Sequence, residues 1–219
     1  MLKADVFGTI TRIGNTVLRD TRPARPWARL LARRLLQREQ RALTRLAQHE
    51  GQDGGLGIPH VLAAGRGTLT RSWIEATPMH IAKPRDPNYF VAAARLVRRL
   101  HAANVIHNDL AKEANWLVTP DGRPAIVDFQ LAMTASPRLA MKSSRRGALA
   151  RALGRDDIRH LLKHKRSYLP ELLTAREQRI LATPSAASRI WMATGKKAYL
   201  FVTRKILHWR DREGAGDRV

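Results

Sequence analysis

Four residues between positions 107 and 128 carry side chains that could do chemistry together: His107, Asp109, Asn115 and Asp128. Carboxylate and amide oxygens suit a hard divalent cation, and a further carboxylate can orient a hydroxyl or accept its proton. The tripeptide His107-Asn108-Asp109 could by itself form a turn whose backbone is capped by its own side chains. Only its combination with Asn115 and Asp128 indicates a reactive site.

A predicted β-hairpin brings the last two of these side chains together. Residues 116–118 and 125–127 are short apolar runs, and the Pro-Asp-Gly-Arg sequence at 120–123 has the composition of a tight turn. Asn115 immediately precedes the first strand, and Asp128 immediately follows the second. We therefore expect both side chains at the same end of the hairpin, close to the loop that carries Asp109.

A hairpin and a long helix are predicted upstream. Residues 6–13 and 16–20 are rich in β-branched side chains and flank Gly14-Asn15, a pair typical of a hairpin turn. A helix is predicted from about residue 27 to residue 47, because five apolar residues share one stripe at helical spacing: Leu31, Leu35, Ala42, Leu43 and Leu46. Glu39 falls in the middle of this stripe, where a carboxylate is very costly unless a buried cation pairs with it.

Further elements follow from the same patterns. Residues 58–74 predict two short strands with a turn at 65–67, and residues 78–87 predict a linker. A second helix is predicted from about Asn88, as N-cap, to Ala103, with these residues facing inward: Phe90, Ala93, Leu96, Val97 and Leu100. From Pro137 onward the pattern is helical, with breaks expected at Gly147, Gly154, Pro170 and Pro184.

Composition narrows the class of protein. The chain has 219 residues and no Cys, so its length allows a sizeable core, and a disulfide-rich scaffold, a Cys nucleophile and an iron–sulfur centre are excluded. The net charge of +22 is concentrated in residues 21–47, 138–166 and 189–212. Such basic segments attract phosphate-rich partners. The alternative is that the arginines only form solvent-exposed helix faces and bind no partner.

These motifs resemble those of the protein kinase superfamily, in which His-x-Asp and a following Asn precede a hairpin and Asp-Phe-Gly. The likeness is carried by residues 107–118, His-Asn-Asp-Leu-Ala-Lys-Glu-Ala-Asn-Trp-Leu-Val, and by Ile126-Val127-Asp128-Phe129. Within this superfamily the chain more closely resembles small bacterial atypical kinases of the lipopolysaccharide-core and Kdo kinase type and of the RIO type. The resemblance implies an α+β, bilobal protein-kinase-like fold, with a reduced N-terminal β lobe that includes one long helix, and a mostly helical C-terminal lobe.

The resemblance also implies a catalytic set made of Asp109, Asn115 and Asp128. Asp109 would accept or orient the proton of the attacking hydroxyl. Asn115 and Asp128 would ligate Mg²⁺ on the phosphates of ATP. His107 would be a structural residue that braces the loop.

A second implied set would bind the nucleotide. Arg19 stands where such kinases carry a phosphate-contacting Lys, and Glu39 would be its ion-pair partner. Lys112, inside the catalytic loop, would also contact the nucleotide. The helical stripe places Glu39 inward independently of the resemblance.

The chain departs from the kinase pattern at four points. Five residues separate Asp109 from Asn115 where the usual number is four, so the amide is expected to shift relative to the metal. Gln130 replaces the Gly of Asp-Phe-Gly, which is expected to stiffen that segment. Arg19 replaces Lys, so the phosphate contact must change geometry. No Gly-x-Gly-x-x-Gly precedes Arg19, and the hairpin at Gly14 is the only candidate for a phosphate-covering turn.

The function expected from this resemblance is transfer of the γ-phosphoryl group of ATP to a hydroxyl of a lipid or lipid-linked sugar, of the lipopolysaccharide-core or the sphingoid/ceramide type. A Ser/Thr protein kinase and a non-catalytic pseudokinase or basic adaptor are the alternatives. Nucleic acid is not expected as a partner, because only 5% of residues are aromatic and no known nucleic-acid-binding motif occurs. His160, His164 and His208 are interpreted as solvated residues and not as a metal site.

Three regions are expected: a reduced N-terminal lobe over residues 1–78, a C-terminal lobe with the catalytic and metal-binding loops over 79–188, and a basic amphipathic helix and tail over 189–219. That last helix has two Trp and a basic flank, which favours peripheral contact with an anionic membrane. No apolar run is long enough to span a bilayer, and no secretory signal is recognised, so the expected location is the bacterial cytoplasm or the cytoplasmic face of the inner membrane.

Overall fold

The structure is a computed structural model that describes residues 1–49, 57–134 and 145–183, without the side chains of residues 145–149. It is an α+β fold, as predicted. The expected amphipathic helix at 189–219 lies outside the described residues. Within the described part of the chain, no helix is both long and apolar enough to cross a membrane.

An antiparallel five-stranded sheet with the order β1-β2-β3-β5-β4 forms the N-terminal part. Its strands are β1 (Lys3–Asp5), β2 (Gly8–Ile13), β3 (Thr16–Asp20), β4 (Val61–Gly65) and β5 (Thr68–Ser72). The hairpin at Gly14-Asn15 and the strand pair around 65–67 are confirmed. Sequence reasoning missed β1, because three mostly exposed residues carry no periodic signal.

Helix α1 (Arg29–Ala47) connects β3 to β4 and buries one face. The residues of that face are Ala32, Leu36, Glu39, Ala42, Leu43 and Leu46. The inward position of Glu39 is confirmed, since its exposed fraction is 1%. The inward position predicted for Leu31 is wrong, because small Ala32 and then Leu36 line the inner side of the first turns and Leu31 is 49% exposed.

The segment expected to be a linker contains a strand and a short helix. β6 (Thr77–Pro78) pairs with β8 (Trp116–Val118), and α2 (Met79–Ala82) follows directly with Met79 fully buried. The linker prediction was therefore wrong. Burial of Met79 against later parts of the chain decides this structure, and such contacts cannot be read from a segment of ten residues.

Helix α3 (Pro87–Ala102) follows the predicted bounds closely, and its five predicted core residues are all buried. Asn88 is not the N-cap. Asp86 holds that position, because its Oδ1 accepts a hydrogen bond from the backbone N–H of Asn88 at 2.8 Å and Pro87 occupies the first helical position.

Short strands position the candidate catalytic residues. β7 (Val105–Ile106) pairs with β10 (Met133–Thr134), and β8 pairs with β9 (Pro124–Ile126) as the predicted hairpin. Both pairings are antiparallel and place the loop after β7 beside the segment after β9.

Helix α4 (Arg145–Tyr168) runs through both glycines at which breaks were predicted, so those two predictions were wrong. A glycine inside a helix costs only about 1 kcal/mol, which packing can offset. A Cβ on Gly154 would lie 3.5 Å from the His101 ring, so α4 approaches α3 closely there. The helix ends before Pro170, as predicted, and α5 (Ala175–Ala182) follows behind a capping box at Thr174.

One apolar core extends from α1 to the residues after α4. Its largest fully buried members include Trp116, Tyr89, Phe129 and Leu43. The core therefore holds α1, the β8–β9 hairpin and the segment after β9 against one another, and these elements carry the candidate site.

Candidate active site

His107 fastens the loop after β7 to the segment after β9. Its buried ring donates from Nε2 to the carbonyl of Val127 at 3.0 Å, so Nδ1 is left as an acceptor for the backbone N–H of Asp109 at 3.3 Å. The ring also meets that of Phe129 edge to face, with centroids 4.7 Å apart. Burial lowers the pKa of His107, which keeps the ring neutral and this pattern of one donor and one acceptor intact.

Asp109 lies at the end of this loop with two polar neighbours. Asn115 donates from Nδ2 to the Asp109 carboxylate at 3.0 Å and to the Asp109 carbonyl at 2.9 Å. Lys112 places its ammonium 3.2 Å from the same carboxylate. Burial raises the pKa of Asp109 above its ordinary value, and Lys112 and Asn115 offset only part of that effect.

The extra residue between Asp109 and Asn115 is absorbed by a 3-10 turn at Glu113–Asn115. Glu113 in this turn accepts a hydrogen bond from the hydroxyl of Tyr168 at 2.7 Å. The carbonyl of Leu110, at the other side of the insertion, accepts hydrogen bonds from His164 Nε2 at 2.8 Å and Trp116 Nε1 at 3.1 Å. Asn115 consequently still reaches back to Asp109 despite the longer connection.

Asp128 follows β9 in a left-handed backbone conformation, with φ at 66°. The positive φ therefore falls on Asp128 and not on Gln130, the residue that replaces the usual Gly. The Gln130 side chain donates from Nε2 to Asp128 Oδ1 at 2.8 Å, and Arg19 Nη1 lies 3.9 Å from the same oxygen. Burial acts to raise the pKa of Asp128, but Arg19 and the Gln130 amide outweigh it, so the pKa lies below its usual value and the carboxylate is anionic at neutral pH.

Glu39 is bound by two arginines. Arg19 Nη1 lies 2.8 Å from Glu39 Oε2, and Arg71 Nε lies 3.2 Å from Glu39 Oε1. Both guanidinium-bearing side chains are largely buried. Burial lowers the pKa of Arg71, with the Glu39 carboxylate acting against it and the Arg19 charge adding to it. The carboxylate is thus shared by two cations that would otherwise repel each other.

Sequence reasoning missed Arg71, although a signal was present. β5 runs antiparallel to β3, with Arg19 opposite Leu69 and Val17 opposite Arg71. Leu69 and Arg71 are two residues apart and therefore share a face of the sheet, the face on which Leu69 is buried. Arg71 on this buried face, next to Arg19 on β3, requires a carboxylate to balance its charge. Glu39 was already predicted to point inward and could have been recognised as that carboxylate.

Asp157 on α4 is a second residue that sequence reasoning missed. Its buried carboxylate accepts hydrogen bonds from the backbone N–H groups of His107 at 2.9 Å and Asn108 at 3.1 Å, and His101 Nε2 lies 3.1 Å away. Asn108 has φ at 64°, a conformation that these bonds and its own side-chain bond to Leu131 hold in place. The one signal in the sequence that could have pointed to Asp157 was the acidic pair Asp156-Asp157 within the strongly basic segment 138–166.

The structure has a turn between β1 and β2, at residues 6–7. From the sequence, the hairpin at Gly14 had been the only candidate for a phosphate-covering turn. The backbone N–H of Phe7 donates to Asp5 Oδ1 at 2.8 Å and closes the turn. Gly8 follows with φ at 123°, and a Cβ there would lie 2.0 Å from the carbonyl oxygen of Asp20. Only glycine allows this close approach of β2 to the end of β3.

The interpretation of His160 and His164 as solvated residues was wrong for His164, which is buried, and holds only in part for His160, which is half-buried. Packing of α4 against the core buries His164 and encloses Nδ1 of His160. Burial lowers the pKa of both rings, that of His160 to about 4. His208 lies outside the described residues. In the described parts of the chain, no group of three or more His, Asp or Glu side chains is arranged to hold a metal ion.

Asn115 and Asp128 offer oxygen ligands of the kind that Mg²⁺ prefers. Asn115 uses Nδ2 on Asp109, so its Oδ1 is the atom left to act as a ligand. The backbone N–H of Val127 donates to the carbonyl of Asn115 at 3.0 Å, which holds the residue before Asp128 against Asn115. Two protein ligands fit an ion that takes its other ligands from phosphate and water.

Comparisons with known proteins relate the chain to a kinase fold. No family model matches it. It is 32% identical over 106 residues to a probable bifunctional tRNA threonylcarbamoyladenosine biosynthesis protein of Methanospirillum hungatei, a match that covers 48% of this chain and 19% of that protein.

Two solved structures match the chain. The Rio2 kinase from Chaetomium thermophilum matches with a TM-score of 0.52 and 17% identity, over 89% of this chain and 66% of that one. Monomeric WbdD matches with a TM-score of 0.48 and 16% identity, over 79% of this chain and 39% of that one. The chain spans less than two thirds of each of these three proteins. The likeness to Rio2 establishes a reduced, bilobal protein-kinase-like fold.

Proposed function

We propose that this chain, whose fold is that of the protein-kinase-like superfamily, is a phosphotransferase that moves the γ-phosphoryl group of ATP to an alcohol hydroxyl. The observation that carries the proposal is the joint placement of Asp109, Asn115 and Asp128 around the ends of β7, β8 and β9, next to the Arg19–Glu39 pair. Residues far apart in sequence thereby supply a carboxylate for a hydroxyl, oxygen ligands for a cation and a fixed positive charge for phosphate.

Asp109 is proposed to hold the acceptor hydroxyl and take its proton. The hydrogen bond from Asn115 and the ion pair with Lys112 fix the orientation of the carboxylate. Its raised pKa makes it a better proton acceptor than an exposed aspartate. Lys112 has a second proposed role toward the nucleotide, because its ammonium lies 3.2 Å from Asp109 and its charge also contributes to the lowered pKa of Asp128.

Asn115 Oδ1 and the Asp128 carboxylate are proposed to hold Mg²⁺ together with ATP. The ion would supply neutralisation of the charge on the transferring phosphate. The hydrogen bond from Gln130 and the nearby Arg19 keep Asp128 anionic, which is the protonation state that a ligand requires.

Arg19 is proposed to contact phosphate, with Glu39 and Arg71 holding it in place. The 3.9 Å separation from Asp128 puts its guanidinium next to the proposed cation ligand. A planar guanidinium offers several donors in a fixed geometry, so it can bind Glu39 and phosphate oxygens together. Arg71 occupies the other oxygen of Glu39, which prevents the carboxylate from turning away from Arg19.

The acceptor is proposed to be a lipid or lipid-linked sugar at the cytoplasmic face of a membrane. Three basic segments make the chain strongly cationic, and an anionic leaflet attracts basic side chains by about 1 kcal/mol each. The sequence after Asp128 also contains no Ala-Pro-Glu, the anchor with which ordinary protein kinases support peptide docking.

A second candidate is phosphotransfer to a macromolecule, either a Ser/Thr-containing protein or a component of tRNA modification. The curated relative is named for tRNA threonylcarbamoyladenosine biosynthesis, and its likeness extends over almost half of this chain. This candidate uses the same site and differs only in the acceptor.

One experiment separates these candidates. Purified chain is incubated with Mg²⁺ and γ-labelled ATP, together with a total lipid extract in one reaction and with cell protein plus tRNA in another. Label that enters the organic phase supports the lipid acceptor, and label on protein or tRNA supports the second candidate. The Asp109→Asn variant should lose the signal in either reaction. Absence of transfer and of Mg²⁺-dependent ATP binding would leave a pseudokinase or adaptor.

A further inference from the structure

The outward side of α1 and of the turn that precedes it carries large apolar side chains on the protein surface. Trp27, Leu30 and Leu31 have exposed fractions of 62%, 63% and 49%. They continue along the helix into three exposed arginines, and residues three, four and seven apart share one helix face. We call this set the α1 outer face: Trp27, Leu30, Leu31, Arg34, Arg38 and Arg41.

The exposure of these side chains is imposed by a well-anchored backbone. On the opposite side, Ala24, Ala28 and Ala32 are buried. The backbone N–H of Arg25 donates to the carbonyl of Val6 at 3.0 Å, and that of Ala28 donates to the carbonyl of Arg25 at 2.9 Å. With the small residues packed inward, Trp27 and Leu30 can only project outward.

The composition of this face suits an anionic bilayer. It contains no acidic residue and three arginines, and two more exposed arginines, Arg25 and Arg29, flank it. Tryptophan prefers the membrane–water interface, and leucine next to it can enter the acyl boundary while arginines contact the lipid phosphates. A second copy of the same face in a twofold contact would set arginines against arginines, which disfavours a homodimer.

We propose that the α1 outer face docks on the surface of an anionic phospholipid bilayer. Trp27, Leu30 and Leu31 enter the interfacial layer, and Arg34, Arg38 and Arg41 lie against the headgroup phosphates. Glu39 is on the inner face of the same helix, so the bound chain holds Glu39 and its partner Arg19 about one helix diameter from the lipid. The use of this placement for a lipid acceptor rests on the proposed function, whereas the binding itself does not.

The test measures partitioning of the full chain onto vesicles, without ATP, so that it is independent of phosphotransfer. Vesicles of phosphatidylcholine and phosphatidylglycerol at 2:1 are compared with pure phosphatidylcholine by co-sedimentation. Wild type should bind the anionic vesicles, bind the neutral ones much more weakly, and lose affinity as salt rises.

A charge-matched pair of variants locates the binding. The triple variant Arg34→Gln, Arg38→Gln, Arg41→Gln should lower the partition coefficient by about a hundredfold, since each basic side chain near the leaflet contributes roughly fivefold. Arg95→Gln, Arg98→Gln, Arg99→Gln removes the same charge from exposed positions on α3 and should change it far less. If both variants lose vesicle binding equally, the binding depends only on the net charge of the chain, and the proposal is overturned.

An apolar pair tests insertion. Trp27→Ser with Leu30→Ser should weaken binding by about tenfold or more, whereas Ile81→Ser with Val91→Ser, also exposed, should have little effect. Unfolding by urea should be unchanged in all these surface variants. Vesicle binding that survives both α1 variants would overturn the proposal. So would self-association or binding to an acidic protein that is lost in the α1 variants while vesicle binding persists.

Discussion

Arg71 and Arg19 lie on adjacent strands and contact different oxygens of the buried Glu39 carboxylate, at 3.2 Å and 2.8 Å. The register of β3 and β5 puts both arginines on one face of the sheet, and the carboxylate that they contact belongs to Glu39 on the buried face of α1. The three charges sum to +1 in a largely buried place. Glu39 therefore keeps two cations within the fold, in addition to any part it takes in binding phosphate.

Replacing Glu39 with Gln should destabilise the protein by about 3–5 kcal/mol, because two largely buried guanidinium groups lose the carboxylate that both of them contact. Urea unfolding followed by circular dichroism measures the change. Glu75→Gln is the matched control, since Glu75 also pairs with an arginine but is 70% exposed, and its loss should cost less than about 1 kcal/mol. Similar effects of the two substitutions would mean that Glu39 is not the charge that holds the pair.

The two arginines should differ in their effect on the nucleotide. Arg19→Met removes the charge next to Asp128 and should weaken Mg²⁺-dependent ATP binding by roughly 10–100-fold, the value of a lost charge-assisted contact. Arg71→Met leaves the Arg19–Glu39 pair in place and should weaken binding by less than about tenfold. Calorimetric titration with ATP measures both. Equal losses would contradict the assignment of Arg71 as a positioning residue.

Asp109→Asn should lower the transfer rate by about 10²–10⁴-fold, the range for a positioned acid–base group. The same variant should be more stable than wild type at neutral pH. Burial raises the pKa of Asp109, so ionisation above that pKa costs stability that the neutral amide does not lose. The advantage of the variant should grow as pH rises through the raised pKa and be absent below about 3.8. A variant that keeps its rate would remove Asp109 from the mechanism.

Acid should destabilise the protein through imidazole rings whose pKa is lowered by burial, and His160 is one of them. Its pKa falls from 6.5 in the unfolded chain to about 4 in the fold because burial disfavours the charged ring. The neutral ring contributes stability that is present above pH 6.5 and is lost as pH falls toward 4, about 3 kcal/mol in all.

Unfolding free energies at pH 7 and pH 4 test this contribution. His160→Gln should lose less stability across that interval than wild type does. His80→Gln, at an exposed position, should lose as much as wild type. Parallel behaviour of the two variants would show that His160 is as solvated in the fold as in the unfolded chain.

Local pattern predicted much of the candidate site. The turn at 120–123 forces Asn115 and Asp128 to one end of a hairpin, and the 3.6-residue period of α1 puts Glu39 among its apolar residues, whatever the rest of the chain does. Both inferences need only backbone geometry within about twenty residues. The catalytic, metal and nucleotide roles of these residues stay predictions, as do ATP, Mg²⁺ and the lipid acceptor.

What local pattern could not supply are the contacts between distant segments. Arg71 reaches Glu39 because β5 pairs with β3, although α1 and β4 lie between these strands in the sequence. Asp157 reaches the loop of His107 from a helix fifty residues later. The side of α1 on which Leu31 lies was likewise decided by tertiary packing, which buries Ala32 and leaves Leu31 exposed. By itself the sequence determined which side chains each short element presents. Only the tertiary structure decided which of them meet, because burial and pairing depend on surfaces that the chain brings together from far apart.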